Sequence, residues 1–287
     1  MRPTQRLWNA SGVTVSGGHS STRRRLQDLV EDLRAEQLAL DGRVAASAPA
    51  AWNAPTPATG WSVADQISHL TYFDRSAVLA LRDREGFAAH RTELLEQVAT
   101  EPDVALGRSL PPAALLKAWR AARAELHDAL ADAALLEHPL RVPWYGPDMS
   151  LASFVTARMM ETWAHGQDVA DALGLAPVVS PRLRHVIHLG VAARSYAFAV
   201  HEVEDPGDPV AVHTRNPADE TDAWTFGDPD AEDVIRGSAL GLALVFTQRR
   251  HPLDTDVVAE GATAELFLGV AQAFAGPAGS GRPPAGR

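Results

Sequence analysis

Glu161 and His165 stand four residues apart in the proline-free run Met159-Met160-Glu161-Thr162-Trp163-Ala164-His165-Gly166-Gln167-Asp168. On a helix that spacing puts a carboxylate and an imidazole on one face, about 40° apart, and Asp168 falls only about 20° from Glu161. Far upstream, His69 in Trp61-Ser62-Val63-Ala64-Asp65-Gln66-Ile67-Ser68-His69-Leu70 offers a further imidazole from a second predicted helix. Two histidines and one carboxylate fill three positions of a tetrahedral metal site and leave at least one for water, a thiolate or a substrate oxygen, the layout of a catalytic ion. Zinc is the first assignment, and iron, nickel or manganese would accept the same donors. Asp168 is then a candidate acceptor behind an imidazole, fixing its orientation. A Glu and a His at this spacing also occur as a solvated pair, and Asp168 as a plain surface acid, so the residues by themselves leave both readings open.

The elements that must position these groups can be traced by periodicity. Leu29, Val30, Leu33, Leu40 and Val44 give a first amphipathic helix, starting near Leu26. A Pro-rich stretch from Pro49 to Gly60 breaks the pattern, and Ser62-Val63-Ala64-Asp65 supplies a capping box for a second helix with core positions Val63, Ile67, Leu70 and Ala77. A less regular segment ends at Pro111-Pro112. The third helix follows, with Leu115, Leu116, Trp119, Ala122, Leu126 and Leu130 at helical spacing as far as Leu136. The fourth runs from Leu151 to Leu173, with Gly174 as terminator. Four such segments with moderate connections predict an antiparallel four-helix bundle, in whose core facing helices commonly build metal sites.

Beyond a linker at Ala176–Ser180 the spacing predicts one helix from Pro181 to Val203 and then a change of texture. Val210–Thr214 and Thr221–Phe226 alternate as paired strands around Asn216-Pro217, and Ala239–Phe246 and Ala262–Phe274 read as helices flanking a strand at Asp256–Ala259. The fold class is therefore α+β. The expected domains are a flexible leader at 1–21, a metal-binding bundle at 22–175, a smaller mixed α+β domain at 176–276, and a disordered Gly-, Pro- and Arg-rich tail at 277–287.

Composition narrows the function. The 287 residues include no cysteine, which excludes a disulfide framework, a cysteine nucleophile and thiolate metal ligands. A net charge of −10 argues against nucleic acid or an anionic membrane as partner, and Arg23-Arg24-Arg25, the one dense basic run, reads as a solvated turn. No window approaches the roughly 20 apolar residues that span a bilayer. The broken Leu7–Val15 stretch is not a signal peptide, so the expectation is a cytoplasmic protein, monomeric or homodimeric. His185 and His188, one turn apart, lack a carboxylate in register. Trp163, midway between Glu161 and His165, points to the opposite helix face as core packing, while Trp61, Trp144 and Tyr145 are candidates for an apolar wall near the metal.

Trp61-Ser62-Val63 followed by His69-Leu70, together with Glu161-x-x-x-His165-x-x-Asp168, resembles the metal-binding motifs of the DinB-like and mycothiol-dependent maleylpyruvate isomerase superfamily. The likeness extends over about residues 22–175, and to Gly276 it resembles an actinobacterial metal-binding subgroup of unknown activity. The resemblance implies a DinB-like four-helix bundle holding a divalent metal on His69, Glu161 and His165. It also implies mycothiol or a similar low-molecular-weight thiol as co-substrate, and a small electrophilic molecule as substrate. It further implies a catalytic Arg249 in Thr247-Gln248-Arg249, clamping a substrate carboxylate, although Arg250 and His251 follow at once and basic residues at a helix C-terminus are also expected from the dipole. The function that results is a metal-dependent thiol transferase or isomerase. The alternatives are a metal hydrolase that needs no thiol and a non-catalytic metal- or small-molecule-binding module.

Overall fold

A computed structural model describes residues 19–97, 100–134, 140–146 and 148–286, with 19–22 through their backbone only. The leader expected over 1–21 lies outside them as far as residue 18. The chain divides into two compact units, one ending at Val178 and the other beginning at Val179.

The first unit is helical: α1 (His19–Ala46), α2 (Val63–Arg82), α3 (Arg84–Gln97), α4 (Ala105–Ser109), α5 (Pro112–Ala134) and α6 (Leu151–Ala172). Helix α1 packs on α6 and α5, and α2 packs on α5 and α6. Their apolar stripes meet in a core of Leu40, Val44, Val63, Ile67, Leu70, Leu115, Trp119 and Val169. The start of α2 is set by the capping box: Asp65 N donates to Ser62 Oγ at 3.2 Å, and Ser62 N donates to Asp65 Oδ2 at 2.8 Å. Helix α6 starts on the Ser150 cap and ends in a left-handed Gly174, φ 65°, with Leu175 N on the Ala170 carbonyl. A fully buried ion pair ties α2 to α6: Arg158 Nη2 donates to Asp74 Oδ1 at 2.8 Å, and Trp119 Nε1 from α5 donates to the other oxygen at 3.3 Å. Asp41 of α1 receives both Arg120 and Arg123 of α5.

The less regular segment contains two helices, α3 and α4, that periodicity does not announce. Phe87 is the one buried side chain of α3, so no apolar stripe marks it. Two short strands, β1 (Arg141–Val142) and β2 (Met149–Ser150), pair antiparallel across the turn-rich stretch before α6.

In the second unit the helix expected over Pro181–Val203 is broken into α7 (Leu183–Ala192) and α8 (Arg194–Val200) at Ala193, where φ −82° and ψ 0° turn the chain. The break lets α7 pack on α9 (Ala239–Phe246) while α8 meets α10 (Ala262–Val270). A four-stranded sheet follows the order β4-β3-β5-β6, built from β3 (Val210–Asn216), β4 (Asp219–Gly227), β5 (Asp233–Arg236) and β6 (Val258–Glu260). The β3–β4 hairpin is antiparallel, β5 adds parallel to β3, and β6 adds antiparallel to β5. Strand β5 escapes the alternation test because Asp-Val-Ile-Arg buries both central residues. Phe246 and Phe267 stack at 5.8 Å, Phe267 and Phe198 at 6.3 Å. Gly190 admits the Phe246 ring where a Cβ would lie 2.6 Å from it.

The tail after Gly276 departs from the disorder expected of its composition. Gly276 N donates to Tyr196 Oη at 2.7 Å, Gly279 N to Gln272 Oε1 at 2.8 Å, and Ala285 N to Asp254 Oδ2 at 2.8 Å. Backbone donors satisfied one by one by side chains fix a segment that has no helix or strand of its own.

Candidate metal centre

His69 projects from the middle of α2, and Glu161 and His165 from one face of α6. One ligand atom from each of the three lies within 4.8 Å of the others. The His69 and His165 rings are 4.4 Å apart between centroids, and His165 Nε2 is 3.2 Å from Glu161 Oε2.

The hydrogen bonds behind the imidazoles decide which nitrogen faces the cluster. His69 Nδ1 is 2.7 Å from Asp103 Oδ2, an ionised acceptor, so it carries the proton and Nε2 keeps its lone pair. For His165 the proton is fixed by a chain. Thr56 Oγ1 donates to the Trp61 carbonyl at 2.9 Å, Gln66 Nε2 donates to Thr56 Oγ1 at 3.0 Å, and Gln66 Oε1 is left to accept from His165 Nδ1 at 2.5 Å. His165 Nε2 is then an acceptor facing a carboxylate oxygen, itself an acceptor. Two lone pairs held face to face at 3.2 Å, with a second imidazole lone pair beside them, form a donor set that fits a cation.

Positive charge in the cluster, carried by the imidazoles where no cation replaces it, is what the two carboxylates answer to. Burial raises the Glu161 acid, but its hydrogen bond to His165 and the charges of His165, His69 and Arg158 outweigh burial and hold it at about 2. Asp103 is likewise lowered, burial being outweighed by the His69 hydrogen bond and charge. Both groups are carboxylates at neutral pH.

Asp103 reaches His69 because of a glycine. Helix α4 crosses α2 so closely that a Cβ on Gly107 would sit 2.6 Å from the Ala64 carbonyl oxygen. That approach brings the preceding Asp103 alongside α2, where Ser68 Oγ donates to its carbonyl at 2.8 Å. Trp61, immediately before the α2 cap, lies nearly parallel to the His165 ring (17°) at 6.1 Å and is 5.1 Å from His69. On the other side Phe73 is 4.5 Å from His69 and leads to Tyr145 and Trp144 at 5.4 and 6.3 Å. An aromatic layer thus runs outward from the imidazoles.

His69, Glu161 and His165 are therefore brought together. The imidazole-orienting place considered for Asp168 is taken by Gln66 and Asp103, while Asp168 is buried along α6 at 1% exposure. Trp163 is core, its Nε1 donating to the Val178 carbonyl at 3.1 Å. Arg249 belongs to the second unit, at the end of α9, where its Nη1 donates to the Thr247 carbonyl at 2.7 Å. Gln66 lies three residues before His69 on the same helix, but its partner is His165 on α6, so that spacing is no signal of its role. Asp103, in a segment without periodicity, had none.

Residues 33–170 match the model of the mycothiol maleylpyruvate isomerase N-terminal domain. The uncharacterized proteins MT0041 and Rv0036c, from two strains of Mycobacterium tuberculosis, are each 44% identical over 259 residues, 88% of this chain and 97% of theirs. Among solved structures, the mycothiol-dependent maleylpyruvate isomerase and a histidine-to-alanine mutant of it share the fold, with TM-scores of 0.53 and 0.55. Each is 16% identical and covers 83% of this chain and 95% of its own.

Proposed function

This chain belongs to the DinB-like, mycothiol-dependent maleylpyruvate isomerase superfamily, and from that premise we propose that it is a metal-dependent enzyme using a low-molecular-weight thiol for transfer to, or isomerisation of, a small electrophilic substrate. The observation that carries this reading is the pair of imidazoles whose Nδ1 protons are engaged by Asp103 and Gln66, leaving both Nε2 lone pairs beside the Glu161 carboxylate. We read α1, α2, α5 and α6 as the antiparallel four-helix bundle that carries them.

A divalent ion, zinc by ligand type, would lower the pKa of a thiol and so supply a nucleophile at neutral pH. The chain's own part is to hold two neutral imidazoles and a single negative charge, which leaves a divalent site net positive and receptive to an anionic sulfur. Asp103 and Gln66 keep the histidines in the ligating tautomer. Trp61 and Phe73 pack against the rings from two sides. With no cysteine among the 287 residues, the sulfur must be brought by a co-substrate, and mycothiol is the candidate that the solved relatives name.

Metal analysis of the purified protein, then titration of the cobalt-substituted form with mycothiol, tests this. The expected result is close to one ion per chain, lost in His69→Ala, and a sulfur-to-cobalt charge-transfer band that grows with added thiol. Full metal content in the triple replacement of His69, Glu161 and His165, or a cobalt spectrum indifferent to thiol, overturns it.

A further inference from the structure

The second unit holds a cavity of about 450 Å³, inside the range of roughly 300–1,000 Å³ usual for small-molecule sites. One wall is the end of α9 and the turn after it, a second is α10, and the third is the tail. That last wall is built rather than draped. Gln272, fully buried, donates to the Phe274 and Pro277 carbonyls at 3.2 and 3.1 Å while its Oε1 accepts from Gly279 N. Gln248, held at a left-handed φ of 57°, donates to the Ala271 carbonyl. Gly279 lies so close to it that a Cβ would fall 1.9 Å from Gln248 Oε1. Such fitting gives a Gly-rich segment a fixed surface.

The chemistry of the lining is uneven in sign. Val245 and Leu268 supply apolar wall, while Arg250, with Nη1 on the Arg249 carbonyl at 2.7 Å, and Arg282 bring guanidinium groups to a lining whose one acid is the exposed Glu265. His251 Nδ1 accepts from Leu253 N, which puts its proton on Nε2 as a donor.

We propose that this cavity is a second binding site, independent of the metal centre, for a small organic carboxylate with an apolar body. The guanidinium groups match a carboxylate in charge and geometry, and the apolar wall and the volume suit a hydrocarbon chain better than a bare inorganic anion.

Calorimetric titration of the full chain with octanoate, octanol and inorganic phosphate tests it. Octanoate is expected to bind saturably, one per chain, with octanol and phosphate each at least tenfold weaker. Arg282→Ser should weaken octanoate at least tenfold. Gly269→Leu should weaken octanoate at least tenfold with the fold intact, because a Cβ on this helical glycine meets nothing within 4 Å and the longer side chain takes up part of the cavity. His69→Ala should leave octanoate binding unchanged, which separates this site from the metal centre. Absence of saturable octanoate binding, phosphate equal to octanoate, or full binding by a folded Gly269→Leu protein overturns the proposal.

Discussion

Replacing Asp103 interrogates the candidate metal centre without touching a ligand. Its carboxylate is 2.7 Å from His69 Nδ1, and both side chains are 17% exposed, so the contact is a partly desolvated, charge-assisted hydrogen bond. Outer partners of metal-bound histidines typically contribute about 10–100-fold in metal affinity, or about 1.4–2.7 kcal/mol. Asp103→Ala should cost that amount. Asp103→Asn keeps an acceptor oxygen without the charge and should lose about tenfold or less. The backbone need not move, because Ser68 Oγ holds the Asp103 carbonyl rather than its side chain. Zinc competition against a chromophoric chelator at neutral pH reads the affinity, with circular dichroism as the check on folding. Zinc affinity within twofold of the parent in a folded Asp103→Ala protein would refute the argument that the tautomer of His69 is held from behind. Equal losses in Asn and Ala would refute the part assigned to charge.

Two further outcomes follow from groups behind the site. Glu161 titrates in the fold at about 2 against an ordinary 4.5, so its contribution to stability is complete above 4.5 and is lost as pH falls from there toward 2. Urea unfolding of metal-free protein should weaken between pH about 5 and about 3, with a shallower decline in Glu161→Gln; equal slopes would show the loss arises elsewhere. Asp74→Ala strands Arg158, which is 3% exposed, and should cost about 3–5 kcal/mol, whereas Asp74→Leu with Arg158→Met should restore most of it. Denaturant midpoints measure both, and a double variant no better than the single would count against a desolvation origin.

Much of the fold was legible where one element carries its own signal. The Ser62–Asp65 box starts α2 and Gly174 stops α6 because capping is local chemistry. The spacing of Glu161 and His165 is likewise a property of a single helix. What escaped depends on partners distant in sequence. Helix α3 is defined by Phe87 stacking on Trp144 at 5.7 Å, not by a stripe of its own, and β5 is a strand because β3 and β6 flank it. The tail's backbone N–H groups at Gly276, Gly279 and Ala285 donate to oxygens of Tyr196, Gln272 and Asp254, which composition cannot register. Within the site, Gln66 and Asp103 are silent in the sequence for the same reason: a hydrogen bond to an imidazole leaves no period in the chain.

The crossing at Gly107 bears on how this stretch of chain can vary. A glycine pressed against the Ala64 carbonyl fixes α4 in place, and Asp103 stands four residues before it. Each residue inserted or deleted in α4 between them would swing the aspartate about 100° around the helix axis, away from the imidazole. A segment that looks like a spacer between longer helices is therefore held to a fixed count, and its length is as much a part of the site as the histidines are.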